Sequence, residues 1–188
     1  MKNMIQETLL TVGKTVFFAA AMAFAATAAD AAQMAHLEVA DMAVEAEKIA
    51  VGRCLDGASE WVDGQLVTLY TIEVEESLKG AEAETLTVVV PGGLDALRPV
   101  PIAVSFPGAP MIRADEDVLL FLDESPVVEG GYQVVGFSQG KYSVVDDGSG
   151  AQTVTKSQSG HGHGGFGHDL EEIKDEIRQA LNTEGATR

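Results

Sequence analysis

Alternation of apolar and polar residues is strongest in "LVTLYTIEVEE". There Leu66, Thr68, Tyr70, Ile72 and Val74 fall on one side of an extended chain, and Val67, Leu69, Thr71, Glu73 and Glu75 on the other. Side chains alternate between the faces of a strand, and β-branched and aromatic residues suit a pleated surface, so this stretch predicts a strand ending at "SLKG". Before it, "KIAVGRC" (Lys48 to Cys54) reads as a first strand. The intervening "DGASEWVDG" holds two turn signals, Asp56-Gly57 and Asp63-Gly64. Downstream, "ETLTVVVPGG" predicts a third strand stopped by Pro91-Gly92-Gly93. The prolines of "VPIAVSFPG" place a fourth at a sheet edge. In "DVLLFLDE" the unbroken apolar run Val118 to Leu122 predicts a strand buried on both faces. Two short strands flank Ser138-Gln139-Gly140, and "AQTVT" is a last one. Turn signals recur about every 8–12 residues, the spacing of a small barrel or sandwich.

The period becomes helical at both ends of this β region. Leu37, Met42 (or Val44) and Ile49 predict a short helix or turn between Gln33 and Glu47. In "DLEEIKDEIRQALN", Asp169 is placed to cap a helix and Glu172 to complete a capping box, while Leu170, Ile173, Ile177 and Leu181 form one apolar stripe. The expected organisation is a β domain over residues 32–156, a Gly/His-rich linker over 157–168, a C-terminal helix over 169–182 and a disordered tail over 183–188.

The first 31 residues change how the rest is read. Lys2 and Lys14 accompany the apolar run "VFFAAAMAFAATAA", and Ala26-Thr27-Ala28 or Ala29-Asp30-Ala31 offers a small-residue cleavage site. The run is shorter than the about 20 apolar residues of a spanning helix. This is the pattern of a secretory signal peptide, so the protein is expected to be exported, periplasmic or extracellular, without a transmembrane segment after cleavage. Cleavage would remove Lys2, Lys14, Glu7 and Asp30, two of each sign, leaving the net charge at −17. That charge disfavours nucleic acid and anionic membrane surfaces as partners. Cys54 is the only cysteine, so no intramolecular disulfide supports the fold, and its apolar setting predicts a packed core thiol.

The succession "AEKIAVGRC", "VTLYTIEVEESLKG", "VVVPGG", "DEDVLLFLDE" and "VVGFSQGKYSVV" resembles small exported bacterial proteins without an assigned activity. More remotely it is similar to the OB-fold module of netrin-like domains and tissue inhibitors of metalloproteinases. Lys79-Gly80 matches the Lys-Gly that ends the long second strand of that module, and "DEDVLLFL" approximates its later "G-x-x-Y-L-x-F" strand. The resemblance implies a mainly β fold, an OB-like Greek-key small barrel with extra strands, here followed by a C-terminal amphipathic helix. The inhibitors chelate a protease zinc through a disulfide-fixed N-terminal Cys, which this chain lacks, so that activity does not carry over. OB folds bind through the barrel face and adjoining loops.

Candidate chemistry concentrates in "SGHGHGGFGHDLEE". His161, His163 and His168, with Asp169, offer ligands for Zn²⁺, Ni²⁺ or Cu²⁺, although ordering so many glycines opposes a rigid site. The overlapping G-x-G-x-x-G from Gly162 to Gly167 has too little chain after it to build a dinucleotide-binding unit. Asp115-Glu116-Asp117 and Asp146-Asp147-Gly148 are acidic turns without the EF-hand spacing. No nucleophile, base and orienting acid stand at an instructive spacing, which favours a non-enzymatic protein. Trp61, beside a turn, is either a binding-surface anchor or a cap over one barrel end. The leading expectation is an exported binding module engaging an exported or envelope protein near Trp61, Gly92 and Gly93. The alternative is divalent-metal binding or sequestration through the histidine segment.

Overall fold

A computed structural model describes residues 35–146, 148, 150–156 and 167–187. After the short helix α1 (Val39–Glu45) come β1 (Lys48–Val62), β2 (Gln65–Lys79), β3 (Thr85–Asp95), β4 (Ile102–Ser105), β5 (Asp117–Glu124), β6 (Tyr132–Val134), β7 (Lys141–Asp146), β8 (Gln152–Lys156) and β9 (His168–Asp169). Helix α2 (Leu170–Thr187) closes the described chain. The protein is therefore mainly β, with nine strands in one sheet among the described residues and a C-terminal helix.

Strand β1 pairs antiparallel with β2 on one side and, through Lys48 to Arg53, with β5 on the other. The pairing continues β2–β3 and β5–β6, and the circuit meets where Val88 of β3 lies beside Tyr132 of β6 in a single parallel pair. This circuit is uneven: β1 and β2 pair almost end to end, while β3 and β6 barely touch. From β5 the sheet extends outward through β7, β8 and β9.

Two cores lie on opposite faces of the shared strands. Ala50, Cys54, Ile72, Val88, Val118, Leu120 and Leu122 pack together on one face. Ile49, Val51, Leu119 and Phe121 point the other way, against Met42 and Ala43 of α1 and Leu170, Ile173 and Ile177 of α2. The apolar run in β5 is thus buried on both faces, as its pattern predicts. Helix α2 also follows its sequence signal. Asp169 Oδ1 accepts hydrogen bonds from the Glu171 and Glu172 amides at 2.8 and 3.3 Å, capping the first turn, and Leu181 packs against the helix-side core. The helix runs on to Thr187, beyond the Asn182 at which its sequence pattern stops.

Of the two Asp-Gly turn signals, only one makes a turn. Asp63 and Gly64 both have positive φ (48° and 80°) and join Val62 to its partner Gln65, a two-residue hairpin of the primed type. Asp56-Gly57, by contrast, lies inside β1. The register shifts between Cys54 and Asp56, a bulge, and the Tyr70 ring covers Gly57 so closely that a Cβ there would meet Cε1 at 2.5 Å. Nor does Pro91-Gly92-Gly93 stop β3: Pro91 still pairs with Val67, and Gly92 and Gly93 pair with Ser105 and Val104 of β4.

Candidate interaction surface

The continuation of β3 builds the most distinctive surface of the molecule. At Gly92 (φ 96°) and Gly93 (φ 150°) the chain adopts a backbone that side chains rarely allow, and it comes down on the β1–β2 hairpin. A Cβ on Gly93 would sit 2.3 Å from Ser59 Oγ and 2.5 Å from Thr68 Oγ1, and one on Gly92 would sit 2.5 Å from the Val104 carbonyl oxygen. Ser59 and Thr68 are directly opposite across β1 and β2. Their hydroxyls relay hydrogen bonds: the Leu94 amide donates to Ser59 Oγ (3.1 Å), and Thr68 Oγ1 donates to the Gly92 carbonyl (2.8 Å). With the Thr68 proton so used, the 3.0 Å contact between the two oxygens is Ser59 donating to Thr68.

Beyond this clasp, Trp61 Nε1 donates to Asp95 Oδ2 at 2.7 Å, and Arg98 Nε reaches the same oxygen at 2.7 Å. The Arg98 guanidinium stands over the Trp61 ring, 5.0 Å from its centroid. The indole N–H, followed by Arg98, holds the Asp95 carboxyl below its ordinary range. Around this triad the side chains are large, apolar and open to solvent. Trp61 is 42% exposed, Leu97 99% and Val100 74%, and Leu94 and Phe106 are also exposed. Trp61, Gly92 and Gly93 are therefore brought together as one locale, joined by Asp95 and Arg98, which sequence reasoning missed. The only hint of them was their place a few residues after the glycine pair.

The other sequence candidates are dispersed. His161 and His163 lie outside the described residues. His168 pairs with Val154 at the sheet edge, and Asp169 Oδ1 is engaged by two helix amides, which compete with coordination. Among the described residues no three His, Cys, Asp or Glu side chains converge as a metal-ligand group. In Asp115-Glu116-Asp117, Asp117 forms a two-pronged pair with Arg53 (2.6 and 2.9 Å). Asp146 Oδ1 accepts from the Gly148 amide, and Asp147 lies outside the described residues. Cys54 is buried, and burial pushes its thiol above the ordinary range, so it is no activated nucleophile.

Glu116, which the sequence places only in an acidic turn, belongs to a buried polar cluster with Lys141 and Ser143 that the sequence did not indicate. Lys141, 1% exposed, donates from Nζ to Glu116 Oε1 (2.5 Å) and Ser143 Oγ (2.8 Å). Ser143 Oγ donates to Glu116 Oε1 at 2.6 Å, and the Arg113 amide donates to Oε2. Burial pushes the Glu116 carboxyl up, but the hydrogen bonds from Lys141 and Ser143 outweigh it and hold the group below its ordinary range. The serine proton is committed to the carboxylate, and the lysine donates to both oxygens of the pair. The three side chains thus satisfy one another's hydrogen-bonding groups inside the fold.

Comparison with protein-family models, with curated proteins and with solved structures finds nothing that matches this chain.

Proposed function

We propose that the protein is a non-enzymatic, exported interaction module on an OB-like scaffold, and that it engages an exported or envelope protein through the surface around Trp61. The observation that carries this reading is an exposed apolar patch held in fixed geometry. The Ser59–Thr68 relay and the shared carboxylate of Asp95 hold in place a tip whose Trp61, Leu94, Leu97, Val100 and Phe106 remain open to water. Large exposed apolar side chains beside a fixed Trp–Arg pair suit an interaction site, since Trp and Arg dominate binding hot spots. The strand circuit β1–β2–β3–β6–β5–β1 supports the OB-like scaffold. In such folds the loop between the first two strands is a habitual binding element, and here Trp61 stands beside it.

The test is cross-linking capture from the native envelope with the wild-type protein, Trp61→Ala and Leu97→Asp. A partner enriched by the wild type should be lost from both variants, at unchanged circular dichroism. Equal enrichment by all three proteins would refute this surface.

A further inference from the structure

Strand β1 has a partner on both edges for only part of its length. Strand β2 accompanies it from Ile49 to Val62, whereas β5 pairs with it only from Lys48 to Arg53. On that second edge the last bonds join the Cys54 amide to the Glu116 carbonyl (2.9 Å) and the Asp115 amide to the Cys54 carbonyl (2.8 Å). Past the bulge between Cys54 and Asp56, no strand among the described residues lies along this edge. Asp56, Gly57, Ala58, Glu60 and Trp61 are all exposed there.

The Asp63-Gly64 hairpin decides which backbone groups face outward. In a two-residue hairpin the flanking pair, here Val62 and Gln65, exchanges hydrogen bonds, and bonded and non-bonded pairs alternate from there. Trp61, Ser59 and Gly57, opposite Leu66, Thr68 and Tyr70, are the non-bonded members, so their N–H and C=O groups aim at the bare edge. The Val74 amide, in phase with those three residues of β2, bonds away from β1 to the Glu84 carbonyl, as this alternation requires. A row of open donors and acceptors on an extended backbone is matched by a second extended backbone. Side-chain charge selects which one. Asp56 and Glu60 project from the face opposite Gly57, Ser59 and Trp61, and among the described residues neither has an ion-pair partner. A second copy of this chain would bring two sets of these carboxylates to one edge, each chain carrying a net charge of −17.

We propose that the partner protein inserts an extended segment along this edge as an added antiparallel strand, with lysines or arginines at alternate positions on the side of Asp56 and Glu60. The backbone ladder through Gly57, Ser59 and Trp61 holds the segment, and the two carboxylates fix its register and exclude acidic strands. This rests on the reading of the Trp61 surface as an interaction site, and names the form in which the partner meets it.

The probe is a short fluorescein-labelled peptide alternating lysine and valine, titrated by anisotropy beside two N-methylated forms of the same charge. With lysines facing Asp56 and Glu60, the valine amides point at β1 and the lysine amides point away. Methylation of every valine nitrogen should abolish binding, and methylation of every lysine nitrogen should leave it. Binding indifferent to which set is methylated would overturn the proposal in favour of diffuse charge attraction. In amide exchange, Gly57, Ser59 and Trp61 should be fast in the free protein and protected by the peptide, while Ala58 and Glu60, bonded to β2, stay slow throughout. Protection of the first three without peptide would also overturn it, in favour of a second copy if it rises with protein concentration and of the chain's own residues if it does not. Asp56→Lys with Glu60→Lys should weaken the lysine peptide by about tenfold or more and bind its glutamate counterpart instead, a gain that a misfolded variant would not show. The same double variant belongs in the envelope capture. A partner lost by Trp61→Ala but retained by the double variant would sink strand addition and leave the Trp61 surface standing. The expected peptide pattern, with no partner lost by Trp61→Ala, would sink the Trp61 surface instead.

Discussion

Glu116, Lys141 and Ser143 carry the largest single-residue consequences. An ion pair this buried is costly to break from one side, because the remaining charge has no water to solvate it. Lys141→Met should therefore cost about 3–5 kcal/mol in urea denaturation. The Glu116 carboxyl sits below its ordinary range in the folded protein. Its stabilisation is then complete above the unfolded-state value and is lost as pH falls through the lower folded-state value. Glu116→Gln should flatten the acid limb of the stability profile below about pH 4.5, the ordinary carboxylate range, while lowering stability at neutral pH. A variant with the wild-type acid slope would show that other carboxylates govern that limb. At Gly93 the cost is steric. Alanine there must displace Ser59 and Thr68, whereas alanine at Gly64, also at positive φ, meets open space. Gly64→Ala should cost about 1 kcal/mol from backbone strain alone. Gly93→Ala should cost more than that and change the emission of Trp61, the only tryptophan.

Among the elements, α2 was the most legible in the sequence and β1 the least. Its cap and apolar stripe are local signals at a fixed period, and both appear where the pattern puts them. What pins α2 to the sheet is not local. Glu76 of β2 pairs with Lys174 at 2.7 Å and with Arg178 at 3.2 Å, about a hundred residues away in the chain. Glu76 is about two-fifths exposed, so Glu76→Ala should cost only about 1 kcal/mol. It should appear as faster amide exchange across α2 with little change in β5. In β1 the sequence signal misleads, since Asp56-Gly57 has the composition of a turn. It remains extended because Tyr70 of the neighbouring strand packs on the bare glycine and a bulge absorbs the extra residue. Likewise Pro91-Gly92-Gly93 has the composition of a stop, yet its glycines serve a close approach between β3 and the hairpin.

For the whole molecule, the net charge of −17 sets a self-repulsion that opposes compactness. The fold offsets it with two cores and no disulfide among the described residues. Raising the salt concentration from about 20 mM to the Debye-screened range above about 0.15 M should raise Tm. A Tm independent of salt in calorimetry would mean that the surface carboxylates are already locally neutralised.

The sequence by itself determined the β-rich class, the doubly buried run in β5, the Asp63-Gly64 hairpin and the capped amphipathic helix. Each is written in a short window by side-chain period or by turn chemistry, so no distant residue need be known. It also pointed at Trp61, Gly92 and Gly93, though not at what unites them. Only the tertiary structure decided that Asp95 and Arg98 hold the indole, that Lys141 finds Glu116, and that α1 and α2 meet in one core. These are meetings of residues tens to more than a hundred positions apart. Strand register and the chain reversals between elements set them, and neither quantity is encoded in the period of any one segment.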